Sequence, residues 1–105
     1  MRAAVLIGVL VFGGAGAAAA AADCRGWLRL DAEGRRAEVG GMINGHLSSH
    51  ASKRYTSENR VAIQRCLKGF VGEIVEEIDA ACEERPNANA EYVDDIFDRY
   101  FLSCI

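Results

Sequence analysis

The chain has only one proline, Pro86, and fewer basic residues than acidic ones, 12 against 15. A single proline excludes Pro-rich spacers and leaves no linker between domains. A net charge of −3 argues against a nucleic-acid partner, which would need a clustered basic face. No stretch alternates apolar and polar residues as a half-buried strand does, so the expected class is all-α. The four cysteines are 42, 16 and 22 residues apart. That spacing contains neither the Cys-x-x-Cys of a dithiol redox centre nor the close ligand pairs of a zinc site. No serine, histidine and acid constellation stands out for nucleophilic catalysis, so an enzyme is not expected, and no cofactor is assigned.

What is present begins with a leader. Met1-Arg2 is followed by an apolar run from Val5 to Phe12, then by glycine and alanine up to Ala20-Ala21-Ala22. These are the features of a secretory signal with a small-residue cleavage site. With half the segment Gly and Ala, it is a poor membrane span. Residues 1–22 are read as the signal peptide and 23–105 as one domain, with no membrane association after processing. Loss of Arg2 leaves 11 basic against 15 acidic residues, a net charge of −4. A domain this small gains only a few kcal/mol from its core, so cross-links are expected.

Periodicity places the helices. Val61, Ile63, Cys66, Leu67, Phe70, Val71, Ile74, Val75, Ile78, Ala81 and Cys82 fall at three-and-four spacing and predict a helical face over residues 61–84. Gly69 and Gly72 leave its continuity open. After Pro86 the Asn87-Ala88-Asn89 turn offers an Asn cap, and Tyr92, Val93, Ile96, Phe97, Tyr100 and Phe101 mark a second face, antiparallel to the first. Val39, Met42, Ile43, His46, Leu47 and His50 predict a helix over residues 36–52, with a turn at 31–34 before it and a loop at 53–59 after it. Gly41 and Gly45, four apart, would let another helix approach closely. A short helical turn over 24–30 would point Trp27, Leu28 and Leu30 inward. The expected architecture is a disulfide-stapled bundle of about four helices, with Trp27, Phe70, Phe97 and Phe101 in its core.

Four cysteines in a small exported chain imply two disulfides with three connectivities. In one continuous helix Cys66 and Cys82 would be about 24 Å apart, against the roughly 5–6 Å that a disulfide spans. Cys82 lies beside the turn and Cys104 at the far end of the next helix, so they do not meet either. Cys24–Cys82 with Cys66–Cys104 remains. Cys66 and Cys104 lie almost symmetrically about the turn, as an antiparallel pair requires.

His46 and His50 form the one arrangement with chemical potential. They stand at i and i+4, as in His-Glu-x-x-His, but His46-Leu47-Ser48-Ser49-His50 lacks the glutamate that activates water. The plain reading is a half-exposed helix edge with no metal assigned. The functional alternative is a pH-sensing seam, since histidine changes charge between about pH 5 and 8. Glu76-Glu77, Glu83-Glu84 and Asp94-Asp95 are read as solvated helix faces.

Cys24-x-x-Trp27-Leu28-x-Leu30, the helix carrying Val39 and Gly45, and Cys82-x-x-x-Pro86 together resemble the small periplasmic acid-stress chaperones of the HdeA/HdeB type. The resemblance spans most of residues 23–105 on few positions. It implies a periplasmic or secreted protein, a homodimer at neutral pH, and a holdase that opens in acid to expose apolar surface to unfolded clients. It also implies that Cys24 and Cys82 form the family's single disulfide, with Cys66–Cys104 an addition. The ending from Tyr92 to Cys104 is similar to that of the Rap/Tai immunity proteins of type VI secretion. The alternative function is therefore a module that binds one specific protein, such as a toxin.

Overall fold

The computed structural model describes residues 22–54 and 56–105, the side chains of residues 49–54 excepted. The signal peptide expected at 1–22 lies outside the described residues apart from Ala22. The described chain is all-α: α1 Cys24–Leu28, α2 Ala32–Arg54, α3 Ser57–Lys68, α4 Val71–Glu84 and α5 Ala90–Cys104.

Short polar residues set most of the helix starts by accepting a first-turn N–H that has no partner within the helix. The carboxylate of Asp23 accepts from Gly26 N at 2.8 Å and that of Asp31 from Gly34 N at 2.7 Å. Thr56 and Asn89 cap α3 and α5 in the same way. Asp31 and Thr56 also correct two expectations. Because Asp31 caps a helix, residues 32–34 are the first turn of α2 and not a separate turn. Because Thr56 caps α3 and α2 runs to Arg54, residues 53, 54 and 57–59 of the expected loop are helical.

The open question at Gly69 is answered by a break, which gives five helices in place of about four. Gly69 N–H reaches the Cys66 carbonyl at 3.2 Å and Phe70 N–H the Leu67 carbonyl at 2.9 Å, one residue tighter than α-helical bonding. Ile74 N–H then bonds the Phe70 carbonyl, and α4 begins with no side-chain cap. Glycine's poor helix propensity makes this the weakest point of the 57–84 run.

The core joins Cys24 and Trp27 of α1, Val39, Met42, Ile43 and Leu47 of α2, Ile63 and Leu67 of α3, Ile74, Ile78 and Cys82 of α4, and Val93, Ile96, Phe97 and Phe101 of α5. Phe70 is only partly buried, against Tyr100, and Val61 is exposed instead of facing inward. α4 packs on α1, α2 and α5, while α3 bridges α2 and α5. The expected close approach at Gly41 does not occur: a Cβ added there, or at Gly40, would meet nothing within 4 Å.

Two disulfides cross the bundle. Cys24–Cys82 ties α1 to α4 with Cα atoms 5.0 Å apart, and Cys66–Cys104 ties α3 to α5 at 5.8 Å. Their separations of 58 and 38 residues correspond to about 4 kcal/mol each in the chain-entropy account. Cys24 N–H to the Ala88 carbonyl and Arg25 to Asn87 add a second hold on α1 at the α4–α5 turn.

Candidate functional site

With α1 bonded to α4 and α3 to α5, α2 is the one helix among the described residues without a cysteine. Its docking therefore rests on packing and on polar side chains. Among the described residues no polar or charged side chain is fully buried, so these polar links lie around the rim of the core.

The first link centres on Asp79 of α4. One oxygen, Oδ1, accepts from Trp27 Nε1 of α1 at 2.7 Å and from Arg35 Nη1 of α2 at 2.9 Å. The guanidinium also donates to the Leu28 carbonyl at 3.2 Å and lies 6.0 Å from the centre of the Trp27 ring. Arg35 Nε is buried without a partner. Asp79 thus holds three helices together through one carboxylate, and the charge on it strengthens both bonds.

The second link centres on His46 of α2. Nδ1 lies 3.1 Å from the Met42 carbonyl, and Nε2 lies 2.9 Å from Asp98 Oδ1 and 3.8 Å from Asp94 Oδ1 on α5. The ring is 12% exposed, covered by Phe97 at 4.6 Å and Phe101 at 5.3 Å between centroids. His46 is therefore not the half-exposed edge expected of it. The apolar stripe of α2 turns it onto α5, where Asp94 and Asp98, one turn apart, meet the ring. The His50 side chain lies outside the described residues.

A third cluster lies within the cross-linked part. Glu77 of α4 accepts from Arg99 Nη2 at 2.7 Å and from the Tyr100 hydroxyl of α5. That bond to the carboxylate, with burial and the charges of Glu77 and Glu73 adding to it, pushes the Tyr100 phenol up to about 12. The Arg99 side chain is 65% exposed, so its ion pair contributes little.

The solvated-face reading thus holds for Glu76, Glu83, Glu84 and Asp95, which are exposed, but is corrected for Glu77 and Asp94. Asp79 and Asp98 were not singled out from the sequence at all. Their signal is slight: Asp94 and Asp98 share a helix face, but only the fold brings them to His46.

Charge is divided between the same regions. α4 and α5 together carry ten Asp and Glu against one basic residue, Arg99. α2 carries four Lys and Arg and two His against two Glu. It also holds four glycines, whereas α3 and α5 hold none and α4 one.

The two disulfides point to an oxidising, non-cytoplasmic compartment. Among the described residues no helix is long and apolar enough to cross a membrane. Comparison with family models, curated proteins and solved structures finds no match.

Proposed function

We propose that this is an exported, non-enzymatic holdase of the acid-stress kind that the HdeA/HdeB resemblance implies, acting in the periplasm or outside the cell. The observation that carries the reading is the contrast between α2 and the acidic α4–α5 hairpin. A basic, glycine-rich helix without a cross-link meets the acidic hairpin through three carboxylates, those of Asp79, Asp94 and Asp98.

At neutral pH opposite charge favours docking, and Asp79 anchors both Arg35 of α2 and Trp27 of α1. Both bonds are charge-assisted, and such bonds are stronger than those to a neutral acceptor. With all carboxylates neutral, residues 23–105 carry 11 Lys and Arg and two His, a side-chain charge of +13, six of them on α2. Self-repulsion then favours expansion. A domain of this size has a net stability of only about 5–15 kcal/mol, so losing several such terms decides its state. The cross-links direct the response: α1 stays on α4 and α3 on α5, while α2 lifts away. Its departure bares Val39, Met42, Ile43 and Leu47 and the core positions they cover, an apolar surface suited to unfolded clients.

The test is aggregation of an unrelated client from about pH 2 to pH 7, with Trp27, the single tryptophan, as internal reporter. Suppression confined to acid, with a shift in Trp27 emission at the same pH, supports the reading. A chain that keeps its neutral-pH emission in acid and protects no client is not a holdase. That outcome favours the second reading, a module that binds one specific protein, which the pH-independent Cys66–Cys104 link between α3 and α5 also suits.

A further inference from the structure

We propose that His46, Asp94 and Asp98 form a binding site for a divalent transition-metal cation of the zinc class, bridging α2 and α5.

The argument starts from the hydrogens on the imidazole. Nδ1 faces the Met42 carbonyl at 3.1 Å, and a carbonyl oxygen can only accept, so Nδ1 carries the hydrogen. With the hydrogen on Nδ1, Nε2 is the ring atom aimed at two carboxylates, at 2.9 Å from Asp98 and 3.8 Å from Asp94. A proton on Nε2 serves one carboxylate along one direction; a metal cation serves both at once. An Nδ1–H bonded to a backbone carbonyl is also the usual outer partner of a metal-binding histidine, because it fixes the tautomer and aims the other nitrogen.

The spacing agrees. The three ligand atoms lie within 4.8 Å of one another. Zinc bonds of about 2.0–2.2 Å at tetrahedral angles separate neighbouring ligand atoms by about 3.4 Å, and the two distances from Nε2, 2.9 and 3.8 Å, fall either side of that value. One imidazole and two carboxylates suit zinc or cobalt better than calcium or magnesium, which take oxygen ligands throughout. Phe97 and Phe101 hold the ring in place, while Asp94 and Asp98 are 42% and 48% exposed. A cation can therefore enter from solvent and keep water in its remaining positions. Bound there, it would add a coordinate bond to α2, the helix that neither disulfide reaches. This inference does not depend on the holdase reading.

The experiment titrates the oxidised chain at neutral pH with zinc by calorimetry and with cobalt by visible absorption and proton NMR. One cation per chain is expected, with d–d bands and broadening of the His46 ring signals in cobalt. Asp98→Asn and Asp94→Asn keep side-chain shape and should each weaken zinc binding at least about 10-fold. His46→Ala should abolish it. The double variant Glu83→Gln/Glu84→Gln, on exposed positions of α4, should leave it unchanged. Absence of binding at millimolar zinc overturns the proposal, as does binding that ignores Asp94→Asn and Asp98→Asn or falls equally with the Glu83/Glu84 control. Circular dichroism of each variant separates lost ligands from lost fold.

Discussion

α2 and the α4–α5 hairpin are packed into one core, yet they are built on opposite terms. The hairpin is acidic, nearly free of glycine, and bonded through sulfur to α1 and α3. α2 is the longest helix among the described residues, carries four glycines and no cysteine, and meets its neighbours through Asp79, Asp98 and four buried apolar side chains. Stability in a folded chain is not uniform, and elements with few strong contacts open first. The difference between these regions says which part of this small domain is permanent and which depends on solution conditions.

The contrast can be broken most severely on the permanent side. Cys24→Ser or Cys82→Ser should cost about 2–5 kcal/mol, since each removes a long-range cross-link and leaves a polar group at a fully buried position. Urea unfolding of the oxidised variants measures it, and His46→Ala should cost less. Asp79→Asn should cost about 1.5–3 kcal/mol, because the amide can still accept from Trp27 but no longer offers Arg35 a charge. The same variant should raise the pH at which Trp27 emission changes; an unshifted transition would show that Asp79 does not anchor α2.

The opposite manipulation strengthens the labile side. Gly40→Ala and Gly41→Ala enter open space on α2 and should stabilise the protein by about 0.5–1 kcal/mol each. If α2 is the part that leaves in acid, both should lower the pH of opening while leaving amide exchange in α5 unchanged. An effect of similar size is expected within the cross-linked part. Tyr100→Phe should cost about 1 kcal/mol by removing the bond to Glu77. Because the Tyr100 pKa is raised in the folded state, to about 12, its contribution is complete below the free phenol's value near 10 and is lost as pH rises toward 12. The wild type should therefore lose stability across that alkaline window more steeply than Tyr100→Phe, as thermal melts at successive pH values would reveal.

Much of this architecture was legible because it follows from local rules. Apolar spacing located the longer helices, Asn89 marked the start of α5, and helix lengths together with symmetry about the turn selected Cys24–Cys82 and Cys66–Cys104 from three connectivities, although the continuous helix assumed between Cys66 and Cys82 is broken at Gly69. Cap residues were read less well: Asp31 and Thr56 looked like turn and loop residues because the same side chains favour both settings. The break at Gly69 depends on whether packing overrides a weak propensity, which no local pattern decides. The carboxylate links were the least legible. Asp79 reaches a tryptophan 52 positions away, and Asp98 reaches His46 across the same interval. Along the chain an acid on a solvated face and an acid docked to another helix have the same appearance.

The Cys24–Cys82 bond also encloses the whole of α2, from Ala32 to Arg54, in a covalent ring. A segment that detaches from such a ring remains captive near its seat at high effective concentration, and its return is a unimolecular step indifferent to dilution. Reversal on neutralisation would then need no helper, so long as the sulfur bridge survives the excursion.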